Sequence, residues 1–312
     1  MKRLLLLLLG LALVAAAAGG CGDDDDGDGS PDTDADSDTD TDADTDTDTD
    51  TDTDADTDTD TDADTDTATS SDSCGSQVLD GGLEVEDTDD LVVLGQYAEV
   101  TGDVTVEDTA LPGLDGLECL ARIGGDLSIN HNDMLIDVDG LSGLCEVGGS
   151  IVMFDNDALT GIAGFSTLGD VGYTIYLDGN DALASLAGLE GLAGVGFSVS
   201  IQNNPGLESL SGLQNVAHVG WNLTIFNNDL LTDLDGIAGV QDIGGQLTIG
   251  ANALLADISG LDSLVELDGN LTVTDNPLLY TCHAENLRDR LLMLEWTGSA
   301  TISGNDDLGT CD

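Results

Sequence analysis

Residues 74–312 of this chain are predicted to fold as an all-β solenoid, a β-helix of 24-residue leucine-rich coils with a short C-terminal capping helix. The expectation rests on a period, on an alternation and on the lack of helical periodicity inside the repeat. Asparagine returns every 24 residues at Asn132, Asn156, Asn180, Asn204, Asn228, Asn252 and Asn276. Leucine keeps that phase from Leu135 to Leu279, and glycine keeps it from Gly140 to Gly260. Within a turn, Leu127-Ser128-Ile129 is echoed by Ile175-Tyr176-Leu177 and Leu223-Thr224-Ile225. Alternation of period two marks short half-buried strands. No turn holds the roughly 10–12 residues of helical pattern that a helix-backed repeat needs. Leu207, Leu210, Leu213, Val216 and Val219 instead point inward at every third residue, with glycines at the corners. Coils of this kind stack at strand spacing, about 4.8 Å apart. The in-phase asparagines are expected to form a structural ladder, each amide bonding backbone and its neighbour in the next coil.

Both ends of such a stack need covering. Ala300-Thr301-Ile302 with Asn305 repeats Leu271-Thr272-Val273 with Asn276 at an offset of 29 residues. The added length fits a short helix over 284–294, with Leu287, Leu291 and Leu294 on one face. Cys282 and Cys311 share the 29-residue offset, which places them in one column at disulfide distance. The spacing favours a second bridge between Cys119 and Cys145, leaving Cys74 as the odd thiol. The competing connectivity pairs Cys74 with Cys119. No cysteine pair has the short spacing of a zinc site.

Residues 1–20 read as an export signal: Lys2 and Arg3, an apolar run to Ala18, then Gly19-Gly20 before Cys21. The run is short of the roughly 20 residues a membrane span requires. Small residues before a cysteine resemble the bacterial lipobox, which implies lipidation of Cys21 and attachment to a membrane through that lipid. Ala18 stands where that motif usually has leucine; the alternative is ordinary signal cleavage and a secreted product. Residues 21–73 are almost wholly Asp, Thr, Ala and Ser, with nothing apolar to offset chain entropy. They are expected to be a disordered acidic stalk.

The balance of charge narrows the function. Five basic residues face 63 acidic ones, a formal net charge of −58. Such a chain repels nucleic acid and anionic surfaces, so phosphate-backbone binding is excluded. Downstream of the signal only Arg122, Arg288 and Arg290 carry fixed positive charge, too few to build a site that activates a sugar acid. His131, His218 and His283 fall on three different phases of the repeat, with no Ser/His/Asp arrangement and no metal spacing. An enzyme is not expected.

The repeated phrase Gly245-Gln246-Leu247-Thr248-Ile249 through Asn252, Leu255, Ile258, Gly260-Leu261, Leu264 and Leu267-Asp268-Gly269 resembles the receptor L-domain. This is the leucine-rich β-helix of insulin- and epidermal-growth-factor-type receptor ectodomains, and the likeness covers roughly residues 83–312. It implies a right-handed β-helix, an extracellular setting and binding through an exposed sheet. Related domains occur in bacterial surface lipoproteins with Asp/Thr-rich stalks, which implies an outer-membrane surface location.

Two sets of residues rise above the repeat as candidate contacts. Tyr173, Phe197 and Trp221 hold one column in three consecutive coils where other coils have glycine. They either pack on one another or form an apolar platform for a glycan or protein, extended by the outward Phe154, Tyr176 and Phe226. Asp133, Asp157, Asp181 and Asp229 share a turn column. Stacked like charges are costly unless solvated or screened, so calcium is the candidate ion there. The expectation is a non-enzymatic, lipid-anchored surface protein recognising an extracellular protein or glycan. The alternative is a passive structural or cation-binding component of the envelope.

Overall fold

A computed structural model of the chain describes residue 74 and residues 76–311. The expected signal, the expected lipid attachment at Cys21 and the expected stalk fall outside these residues. The described part is a β-solenoid built on one long parallel sheet of ten strands. They run from Leu83–Val85 and Val104–Glu107 through Leu127–Asn130, Ile151–Phe154, Ile175–Asp178, Val199–Gln202, Leu223–Phe226, Leu247–Gly250 and Leu271–Thr274 to Ala300–Ser303. Most neighbours pair in register 24 residues apart, as Ile175 does with Val199 and Tyr176 with Ser200. The step shortens at the start, where Leu83 meets Val104 and Val104 meets Leu127, and lengthens at the end, where Leu271 meets Ala300.

On the adjoining flank, one three-residue corner away, two-residue strands make two short parallel sheets. One joins Val78–Leu79, Glu99–Val100, Arg122–Ile123, Glu146–Val147 and Asp170–Val171; the other joins Gly194–Val195, His218–Val219, Asp242–Ile243 and Glu266–Leu267. The Gly196 N–H still donates to the Val171 carbonyl across the break. The third flank consists of turns, four of them 3-10, at Asp139–Leu141, Ala163–Phe165, Asp235–Ile237 and Ser259–Leu261. The glycine column belongs here for steric reasons. A β-carbon on Gly140, Gly164 or Gly260 would sit within 1.9 Å of a carbonyl oxygen of the preceding coil.

The core is a column of aliphatic side chains in which Leu207, Leu210, Leu213, Val216 and Val219 are all buried. Beside them runs the asparagine ladder, fully buried from Asn132 to Asn276. The Oδ1 of Asn156 accepts from the backbone N–H of Asn132 at 3.2 Å and from its Nδ2 at 3.1 Å. The Nδ2 of Asn156 in turn donates to the Ile129 carbonyl at 2.8 Å and to Asn180 Oδ1 at 3.0 Å. The amide thus satisfies backbone groups that the turn removes from water, which explains why the column holds asparagine at every coil from Asn132 to Asn276. The ladder is longer than the asparagine period indicates. Thr109 begins it, donating from N–H and Oγ1 to Asn132 Oδ1, and Asn305 ends it beneath Asn276. Each rung follows a residue in the left-handed region, among them Asp155, Asn203 and Asn227 at φ between 52° and 56°. Asn and Asp accept that conformation readily.

Helix α1, Thr88–Leu94, covers the first coils with Leu91 and Leu94. Its start is a capping box in which Asp87 accepts from the helix and Asp90 reaches back to the Asp87 N–H. Helix α2, Thr281–Met293, closes the far end with Ala284, Leu287 and Leu291 buried. It begins earlier than the leucine spacing indicates, and Leu294 lies past its end and exposed instead of on the packed face. Cys282 and Cys311 are bonded, with Cα atoms 5.9 Å apart. The expected Cys119–Cys145 bridge does not form: Cys119 is bonded to Cys74, with Cα atoms 5.0 Å apart. Cys145 stacks on Ala121, its N–H donating to that carbonyl at 2.9 Å. Cys119 lies two residues before Ala121 in the chain, displaced sideways by that length of backbone. No described cysteine is a free thiol.

Candidate functional site

The long sheet presents two outward residues per strand. One column reads Ser128, Val152, Tyr176, Ser200, Thr224, Thr248, Thr272 and Thr301; the other reads Asn130, Phe154, Asp178, Gln202, Phe226, Gly250, Thr274 and Ser303. Beside the strands runs the corner column with Tyr173, Phe197 and Trp221. The first two strands carry Glu84 and Glu107 in these outward columns; from the third strand on, the eight segments of this side are 124–130, 148–154, 172–178, 196–202, 220–226, 244–250, 268–274 and 297–303. Their 56 positions hold three charged residues, Asp126, Asp178 and Asp268, whereas the chain from residue 74 onward holds 39 acidic ones. Asp126 and Asp268 lie near the two ends of the corner. Asp178 is withdrawn from solvent, accepting from the Tyr176 hydroxyl and, at 2.7 Å, from Asn203 Nδ2. The surface between is free of exposed charge.

The corner aromatics are held one coil apart by backbone hydrogen bonds, from the Phe197 N–H to the Tyr173 carbonyl and from the Trp221 N–H to the Phe197 carbonyl. The Phe197 and Trp221 rings stack, with centroids 5.9 Å apart and planes 6° from parallel. Stacking does not hide them: Tyr173 is 61%, Phe197 45% and Trp221 47% exposed. The column continues with Gly149 before Tyr173 and Gly245 after Trp221, so no side chain of the column covers either end.

The other three aromatics do not form one continuous patch with these. Tyr176 occupies the first outward column and gives its hydroxyl to Asp178, a bond that with partial burial pushes its pKa up to about 12. Phe154 and Phe226 occupy the second column, separated by Asp178 and Gln202. The Phe154 ring meets His131 edge-on at 5.1 Å. Phe226 lies over Gly250, where a β-carbon would come within 3.0 Å of the ring.

The aspartate column is exposed and mutually repulsive. Partial desolvation, then the charges of Asp181, Asp133 and Asp155, raise the Asp157 pKa above the ordinary carboxylate value. Among the described residues no three His, Cys, Asp or Glu side chains converge on a position that could hold a metal ion. The histidines sit apart from one another. His131 lies between Glu107 and Asp155, His218 bonds Asp242 across the second short sheet, and His283, in the first turn of α2, packs on Tyr280. In the groove under α2, Arg290 is already engaged by Asp262 at 2.9 Å.

Sequence reasoning found every exposed aromatic of this side but missed the neutral surface around them, because overall acidity conceals a deficit that appears only column by column. It also missed α1, which the run Asp87-Thr88-Asp89-Asp90 before Leu91 and Leu94 announces. No family model, curated protein or solved structure matches the chain. The likeness to receptor L-domains therefore rests on the repeat itself. Among the described residues no helix is long and apolar enough to cross a membrane.

Proposed function

We propose that this chain is a non-enzymatic, lipid-anchored surface protein that recognises an extracellular protein or glycan through the outer side of its long sheet. In this reading the signal and Cys21 tether it to the outer membrane, residues 21–73 hold the solenoid away from the bilayer, and the solenoid is receptor L-domain-like. The observation that carries it is the trio Tyr173, Phe197 and Trp221, large rings left exposed in consecutive coils beside a broad uncharged sheet. Exposed apolar surface of this extent marks contact sites. A passive acidic coat that stores cations is the competing reading, and its natural seat, the column Asp133, Asp157, Asp181 and Asp229, lacks converging ligands. The test compares the full chain with its Phe197→Ala/Trp221→Ala variant on arrays of extracellular glycans and proteins. Recognition predicts binding that the variant loses while keeping the parent melting temperature within a few degrees. Binding that the variant retains would sink the proposal.

A further inference from the structure

The charge pattern of the sheet side says what kind of ligand it takes, and the inference rests on the recognition reading above. The stripe spans eight strands, so at about 4.8 Å per step it is roughly 34 Å long. Across the strands it is only as wide as the two outward columns and the corner. An occupant that uses the whole surface is therefore elongated and lies along the coil axis.

Charge narrows the occupant further. An anionic chain approaching this domain meets 39 carboxylates and is repelled at long range. A cationic chain is attracted, but toward the flanks where the carboxylates are, and the stripe offers it no exposed partner. A neutral chain loses nothing on the stripe, because binding there strips water from no fixed charge on either side. The groups that remain are hydroxyls in register (Ser200, Thr224, Thr248, Thr272 and Thr301), amides (Asn130 and Gln202) and the rings of Phe197, Trp221 and Phe226. Hydroxyls both donate and accept, and rings receive the apolar faces of sugars. We propose that the stripe binds a neutral, extended polysaccharide laid along the solenoid axis, with Trp221 as its principal stacking contact and the threonine column as its hydrogen-bonding rail.

The experiment is affinity electrophoresis of the full chain in gels containing neutral soluble polysaccharides (β-glucan, xyloglucan, glucomannan), a uronate-bearing one (alginate) and an amino-bearing one (chitosan). The expected result is retardation by a neutral polymer, changing less than about twofold when salt rises tenfold, because no counterions are released. Trp221→Ala should weaken it about tenfold, and so should Thr248→Asp, which places a carboxylate in the middle of the rail. Thr248→Ser should retain binding, and Asp242→Asn on the short-sheet flank should leave it unchanged. Circular dichroism melts of each variant separate lost contact from lost fold. Retardation by alginate or chitosan alone, sensitive to the same variants, would overturn the ligand class and leave recognition standing, as would an arrayed protein whose binding needs Trp221. Retardation by a neutral polymer that ignores Trp221→Ala and Thr248→Asp would overturn the stripe as its seat. No retardation by any polymer would overturn the ligand class, and the array experiment then decides recognition on its own.

Discussion

The long sheet and the short sheets are two flanks of the same coils, and they treat solvent differently. Inside, the two agree: Leu223 and Ile225 on one flank and Val219 and Ile243 on the other are equally buried. Outside, the short sheets carry Glu99, Arg122, Glu146, Asp170, His218, Asp242 and Glu266, with Arg122 and Glu146 paired at 3.4 Å. Past Glu84 and Glu107 on its first two strands, the long sheet carries mainly threonine, serine, amides and rings, with Asp178 withdrawn from solvent. Stacking coils constrains the inward residue and leaves the outward one free. A domain with 39 acidic residues that keeps all but a few of them off one flank is therefore not obeying its fold. The difference supports the proposed contact surface on the flank where exposed charge is scarce.

The comparison assumes that both flanks share one interior, and the largest predicted effect tests that assumption. Asn204→Ala strands the N–H of Asn180 and the carbonyls of Leu177 and Gln202, and removes one acceptor of Asn180 Nδ2. Leaving buried polar groups unmatched should cost about 3 kcal/mol in chemical denaturation, with both sheets lost in one transition. Outward exchanges should cost far less. Thr248→Asp and Asp242→Asn are each expected to shift stability by no more than about 1 kcal/mol, which makes the flanks interchangeable in stability and different only in binding.

Tyr176 sharpens the comparison by reporting how its flank handles the one carboxylate placed beside it. Its phenol should ionise at about 12, seen as a late step in the ultraviolet absorbance of tyrosinate that Tyr176→Phe removes. Because the folded value is raised, the contact's stabilisation is present below the ordinary phenol range and is lost as pH climbs through the raised value.

The smallest effect lies on the turns. Asp157 also has a raised folded value, so its ionisation penalises the fold as pH rises through that value and not below the ordinary carboxylate range. Asp157→Asn should gain a few tenths of a kcal/mol at pH 7, nothing at strongly acid pH, and less in high salt, as melts at the two pH values would show.

The interior was legible in the sequence because every coil repeats the same constraint. Asparagine, leucine and glycine each answer to a single buried geometry, so their columns stay in phase from Asn132 to Asn276. Where the geometry changes, the pattern misleads. Thr109 does an asparagine's work with a hydroxyl in a shortened coil, and Leu294 looks inward by spacing yet follows the last turn of α2. Cys119 and Cys145 lie on neighbouring coils two positions apart, and that displacement is enough to leave Cys119 to Cys74. The candidate site was half legible. Aromatics stand out one residue at a time, whereas a missing charge becomes visible only when strands are aligned into a surface.

The measurement that tests the central claim most directly uses the protein's own two tryptophans. Trp296 is buried, with Nε1 bonded to the Gly269 carbonyl at 2.9 Å, so quenching of emission by acrylamide reports mainly on the exposed Trp221. Titration of the full chain with a soluble neutral polysaccharide should shift emission to the blue and reduce quenching to the level of the Trp221→Phe protein. Emission and quenching that stay unchanged at saturating polysaccharide would contradict the assignment of this flank as the contact surface for such a chain.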